Sequence, residues 1–163
     1  MTMQPGDVIL VVRGNGFFDR VVQFFTTSPA FHAAMVVDSQ DLIEAAFGGV
    51  RYADVNKYQG KSVVLSPVGA TPAQRAKAVA EARLHWRQPY GWKDILVDAL
   101  RIGFHVPIGY RWRTWHGYDC SALVANCWAL AGLPLTYAPV PSPADLGWST
   151  TLQGPRPWSE PSH

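Results

Sequence analysis

The chain has 163 residues, of which 48% are hydrophobic and 16% charged, with a formal net charge of +2. That length fits one domain, and the apolar content excludes both a disordered chain and a long coiled coil. The charge is too small to argue for a nucleic-acid partner, and none is expected. No apolar run reaches the roughly 18 residues of a membrane span. The opening MTMQPGDVIL has no basic segment followed by a cleavable apolar one, so a cytoplasmic or virion-associated protein is expected rather than a secreted precursor.

In chain order, Asp7–Val12 (DVILVV) reads as a short buried strand. Phe18, Val21, Val22 and Phe25 have helical spacing, which Ser28-Pro29 stops. Phe31–Val37 and Leu42–Phe47 read as a hairpin around Asp38-Ser39-Gln40-Asp41, followed by strands at Val50–Ala53 and Ser62–Leu65. Gly14-Asn15-Gly16 is a turn and not a phosphate loop, since no Lys-Ser/Thr follows it.

The second half changes character. Thr71-Pro72-Ala73-Gln74 is a capping box with proline at the first helical position, opening a helix to about Trp86. Further helices are expected over Asp94–Ile102 and Asp119–Ala131, the second closed by Gly132 and Pro134. Strands first and helices afterwards point to an α+β fold. The organisation expected is one domain over residues 1–135, with 136–163 as an irregular proline-rich tail packed on it.

The two cysteines, Cys120 and Cys127, lie seven residues apart in one expected helix. That separation is about 10.5 Å along the axis, beyond the Cα–Cα reach of a disulfide. Two unpaired thiols fit a reducing compartment or a catalytic thiol. Cys127 suits a core position among Ala125, Trp128 and Leu130. Cys120 does not. Asp119 and Ser121 flank it at a helix start, where unpaired backbone N–H groups and the helix dipole favour a thiolate and can line an oxyanion hole.

A nucleophilic cysteine needs a base with an orienting partner. Of five histidines, His163 is terminal, His85 ends a surface-type helix, and His105 and His116 sit in a loop rich in Arg and Trp. His32 opens an apolar strand beside small residues, and Glu44 stands mid-strand between Ile43 and Ala45, where an unpaired carboxylate is costly. A two-residue turn puts His32 and Glu44 on opposite faces. A three-residue loop, Asp38-Ser39-Gln40, pairs Ala34 with Glu44 and brings His32 onto the same face.

These residues resemble a family. Tyr118-Asp119-Cys120-Ser121-Ala122-Leu123-Val124, an upstream Pro89-Tyr90-Gly91-Trp92 and a His-bearing strand followed by one with a polar residue are similar to NlpC/P60 cysteine peptidases. The order His32, Glu44, Cys120 resembles the circularly permuted branch, which includes YiiX-like and lecithin:retinol acyltransferase-like proteins. So does the opening Pro5-Gly6-Asp7-Val8-Ile9-Leu10.

The resemblance implies a papain-like fold, with the Cys120 helix packed on an antiparallel sheet. It implies Cys120 as nucleophile, His32 as base, Glu44 as orienting residue and Tyr90 beside the nucleophile. Asp119 and Ser121 match positions that bind a substrate amine. The family's Gly-Gly after the tyrosine segment is absent, Trp92-Lys93 following Gly91 instead. The implied substrate is a peptidoglycan stem peptide, with a lipid ester or amide, or a non-catalytic role in a phage particle or cell-wall complex, as alternatives. No cofactor is required. No paired ligand spacing supports a zinc site. Arg101–His116, rich in Arg and aromatics, leads into Cys120 and reads as a substrate-facing wall.

Overall fold

The computed structural model describes residues 3–13, 29–89, 119–138 and 141–155. The expected helices at 17–26 and 94–102, the turn at 14–16, Tyr90, the 101–116 wall and His105, His116 and His163 lie outside them.

Strands β1 (Val8–Val11), β2 (His32–Val36), β3 (Asp41–Ala46), β4 (Gly49–Asp54), β5 (Ser62–Pro67) and β6 (Leu152–Gln153) form one antiparallel sheet in the order β4-β3-β2-β1-β5-β6. Helices α1 (Pro72–Leu84), α2 (Cys120–Leu130) and α3 (Pro143–Trp148) complete the described elements. The α+β class follows.

Strand alternation divides the interior in two. Val8, Leu10, Ala33, Met35, Ile43, Ala45 and Leu65 join the apolar sides of all three helices in the main core. Ile9, Ala34, Val36 and Leu42 form a smaller cluster on the opposite face, covered by Met3 and by Val55 and Tyr58 of the β4–β5 connection. Because both faces are covered, these strands read as near-continuous apolar runs.

The capping box expected at Thr71 is present. Thr71 Oγ1 accepts the Gln74 amide while Gln74 returns its side-chain oxygen to the Thr71 amide, and α1 ends at Leu84, two residues short of Trp86. Residues 136–155 correct the expectation of an irregular tail. Ser142 and Asp145 close a second capping box with Pro143 at N1, opening α3. Strand β6 then pairs with β5, burying Leu152. The proline-rich end thus carries a short helix and, at Leu152–Gln153, an edge strand of the sheet.

The N-terminal turn holds both long helices. Trp128, fully buried in α2, donates its Nε1–H to the Gly6 carbonyl at 3.0 Å. Gly6 has φ +86°, and a Cβ there would lie 2.8 Å from the Trp128 ring. Strain and overlap add, so Gly6→Ala is expected to cost about 2–4 kcal/mol in urea denaturation. A loss under 0.5 kcal/mol, about the scatter of a surface substitution, would refute this account of the turn.

Candidate active site

The register of the β2–β3 hairpin is the one that brings His32 and Glu44 together. Ala34 pairs with Glu44, Met35 with Ile43 and Val36 with Leu42. The Asp38 carboxylate accepts the amides of Gln40 and Asp41 at 2.9 Å each, and the Val37 amide donates to the Asp41 carbonyl. Asp38-Ser39-Gln40 is therefore a three-residue loop built by an aspartate that folds the chain onto its own backbone. Those two amides hold the Asp38 carboxyl below its ordinary range.

His32 Nε2 lies 3.0 Å from Glu44 Oε2. Glu44 is fully buried and receives four donors, two on each oxygen. Tyr58 Oη donates to Oε2 at 2.6 Å, beside His32. Arg51 Nε donates to Oε1 at 3.0 Å, and Lys57 Nζ donates to the same atom. Burial alone would raise the Glu44 carboxyl, but the hydrogen bond and charge of His32 and the bonds from Lys57 and Tyr58 outweigh it. The group is held well below the usual carboxylate range. An ionised carboxylate only accepts, so the Nε2 atom of His32 carries the proton. Nδ1 is the nitrogen left over.

Cys120 is the first residue of α2 and His32 the first of β2. The two meet where these elements begin. Burial lowers the affinity of the imidazole for a proton. The charge and hydrogen bond of Cys120, then the hydrogen bond and charge of Glu44, overcome this and lift His32 to about 9. Tyr58 is pushed above its ordinary phenol range, first by burial and then by Glu44.

The two cysteines differ as their positions imply. Cys120 retains 6% of its surface, whereas Cys127 retains none and is pushed up to about 12 by burial and the charge of Glu81. Asp119 is the N-cap of α2, its Oδ1 accepting the Ala122 amide at 2.6 Å. The resemblance implies only a substrate-binding role for Asp119; the capping role goes unread, although Asp is a preferred cap. Ser121 is buried at 1% exposure, with Oγ 3.8 Å from the Cys120 sulfur. Sequence reasoning also missed Arg51, Lys57 and Tyr58. The signal for Arg51 was available, since the tight Phe47-Gly48 turn pairs Ala46 with Gly49 and sets Arg51 opposite Glu44. Lys57 and Tyr58 lie in a connection with no periodic signal.

No family model matches the chain, and no curated protein matches it. Among solved structures it is similar to one described as the metalloprotein YiiX from Escherichia coli O157:H7 (DUF1105), with a TM-score of 0.72 and 18% identity over 98% of this chain and 100% of that one. No helix among the described residues is long and apolar enough to cross a membrane. Identity this low carries architecture alone, and on that ground the chain has the papain-like α+β fold of YiiX.

Proposed function

We propose that this protein is a thiol hydrolase acting on an amide or ester, with Cys120 as nucleophile, His32 as general base and acid, and Glu44 as the orienting group. The observation that carries this reading is the His32 Nε2–Glu44 Oε2 bond, which leaves the other ring nitrogen for a cysteine at a helix start. His32 takes the thiol proton, and the sulfur adds to the carbonyl carbon. The oxyanion meets the Cys120 amide at the start of α2. Tyr90, by resemblance, adds its hydroxyl. Protonated His32 returns the proton to the leaving amine or alcohol. Water, deprotonated by the same ring, then hydrolyses the thioester and frees the cysteine.

The substrate proposed is a peptidoglycan stem peptide, with Asp119 and Ser121 beside its free amine, as the resemblance implies. A lipid ester or amide is the alternative that an assay separates. YiiX is described as a metalloprotein, and a metal here would need ligands from these residues. Both Glu44 oxygens already accept two donors each, and no three of His, Cys, Asp and Glu converge among the described residues. His32 and Cys120 alone fall short of the three or four protein ligands of a zinc site. The described residues do not fit a metal, and no step is drawn through one.

Iodoacetamide labelling with mass mapping tests the nucleophile. In the folded protein Cys120 is expected to alkylate and Cys127 to stay unmodified until urea exposes it. Equal labelling, or preference for Cys127, overturns the assignment. Cell-wall fragments with a free N-terminal amine and short-chain esters, each against Cys120→Ala, identify the substrate class. Hydrolysis undiminished in Cys120→Ala would end the thiol mechanism.

A further inference from the structure

Glu44 is bound more heavily than an orienting carboxylate needs to be. One neutral donor besides His32 would satisfy much of it, yet two cations reach the same buried oxygen from separate elements. Arg51 comes from β4, directly opposite Glu44, and Lys57 from the β4–β5 connection. Both keep much of their side chains in solvent, at 51% and 33% exposure, so neither is forced into the site by packing. The donors are also sorted. The cations sit on Oε1, and the neutral phenol of Tyr58 shares Oε2 with His32. The Tyr58 ring lies 5.6 Å from the His32 ring, and the Lys57 ammonium sits 4.8 Å over the Tyr58 ring.

We propose that Arg51 and Lys57 are positioning residues that set how tightly His32 holds its proton, by cancelling part of the Glu44 charge from the oxygen His32 does not use. A lone buried carboxylate would stabilise the imidazolium strongly and leave a ring reluctant to give its proton to a leaving group. Two cations against one carboxylate leave that group net positive, but they stand farther from the ring than Oε2 does, so the cancellation is partial. Tyr58 fixes Oε2 without adding charge. The ring is thus oriented by a full hydrogen bond while its basicity is restrained. The groups bearing directly on the ring are Cys120 and Glu44, with the Tyr58 ring beside it, while Arg51 and Lys57 reach it through Glu44.

The consequence for catalysis rests on the thiol-hydrolase reading, but the measurement does not. In a Cys120→Ala background, where the ring titrates uncoupled from the thiol, NMR follows the His32 midpoint. Lys57→Met and Arg51→Met are each expected to raise it by about 0.5–1 unit, a three- to tenfold gain in proton affinity. Lys57→Arg should restore the original value, and Tyr58→Phe should move it less than either charge removal. Arg51 is half in solvent, so its variant tests the idea even where Lys57→Met unfolds. An unmoved midpoint in the folded charge-removal variants, with only the melting temperature lowered, overturns the proposal. If the midpoint rises although Cys120 in the parent protein does not label, the clamp stands and the hydrolase reading falls. If Cys120 labels and the midpoint does not move, only the clamp falls.

Discussion

Glu44→Gln is expected to lower hydrolysis through Cys120 by about 10²- to 10⁴-fold in kcat/KM, the range of a lost acid–base function. The amide keeps the volume of the carboxylate and removes its charge. Its oxygen can stay with His32 and Tyr58, in which case the –NH2 group faces the donors of Arg51 and Lys57. If it flips, the –NH2 faces His32 Nε2, which must then accept, and the ring proton moves to Nδ1, the side left for Cys120. A ring in that tautomer cannot take the thiol proton. Either arrangement costs, and the second disables the base.

The same variant carries a pH signature. Glu44 has its folded value depressed, so its contribution to stability is present above the ordinary 4.5 and is lost as pH falls through the lowered value. His32 has its folded value raised, so its contribution is complete below 6.5 and is lost as pH rises through about 9. The stability gap between parent and Glu44→Gln should therefore be widest at about pH 5–6.5 and narrow at both ends. Urea denaturation at three pH values measures it. Full activity in Glu44→Gln, with a pH-independent gap, would remove Glu44 from the mechanism.

How far this site was legible depended on which residues had a periodic or local signal. His32 and Glu44 stand out because polar side chains interrupt apolar strands, but their shared face depends on a loop length the sequence leaves open between two and three residues, and the folded hairpin has the three-residue loop. Cys120 stood out through its helix-start neighbours. The resemblance points Asp119 at substrate although the same position makes it a cap, because one residue type serves both purposes. Proline density hid α3 and β6. Yet Ser142-Pro143-Ala144-Asp145 has the form of Thr71-Pro72-Ala73-Gln74, with an oxygen-bearing side chain at the cap, proline next and a reciprocal partner at N3. A two-residue strand such as β6 has no periodicity to read. The Glu44 clamp was illegible for another reason: Lys57 and Tyr58 reach the carboxylate across 13 and 14 positions of chain, and only the folded path of the β4–β5 connection unites them.

Arg75→Met is expected to destabilise the fold by about 3 kcal/mol, near the lower end for breaking a buried ion pair, and to lower Tm by about 6–12 °C. Asp7 is 2% exposed and precedes β1. Arg75 Nη1, from α1, donates to its Oδ1 at 2.8 Å and to the Pro5 carbonyl at 2.9 Å. Ser66 donates to Oδ1 at 2.7 Å, and the Gln4 amide to Oδ2 at 2.9 Å. Those two donors remain in the variant, which is why the loss is not larger. What disappears is the charge that balances a buried carboxylate and the tie between α1 and the N-terminal turn. The turn is also where Trp128 of α2 is anchored through Gly6, and α1 packs against α2, so residues 4–7 help to place the helix that begins at Cys120. A double-mutant cycle separates pair from packing. Asp7→Asn in the Arg75→Met background should cost less than Asp7→Asn alone, with a coupling of about 1–3 kcal/mol. Strict additivity would mean that Arg75 acts through its aliphatic stem and the Pro5 carbonyl, and not through Asp7.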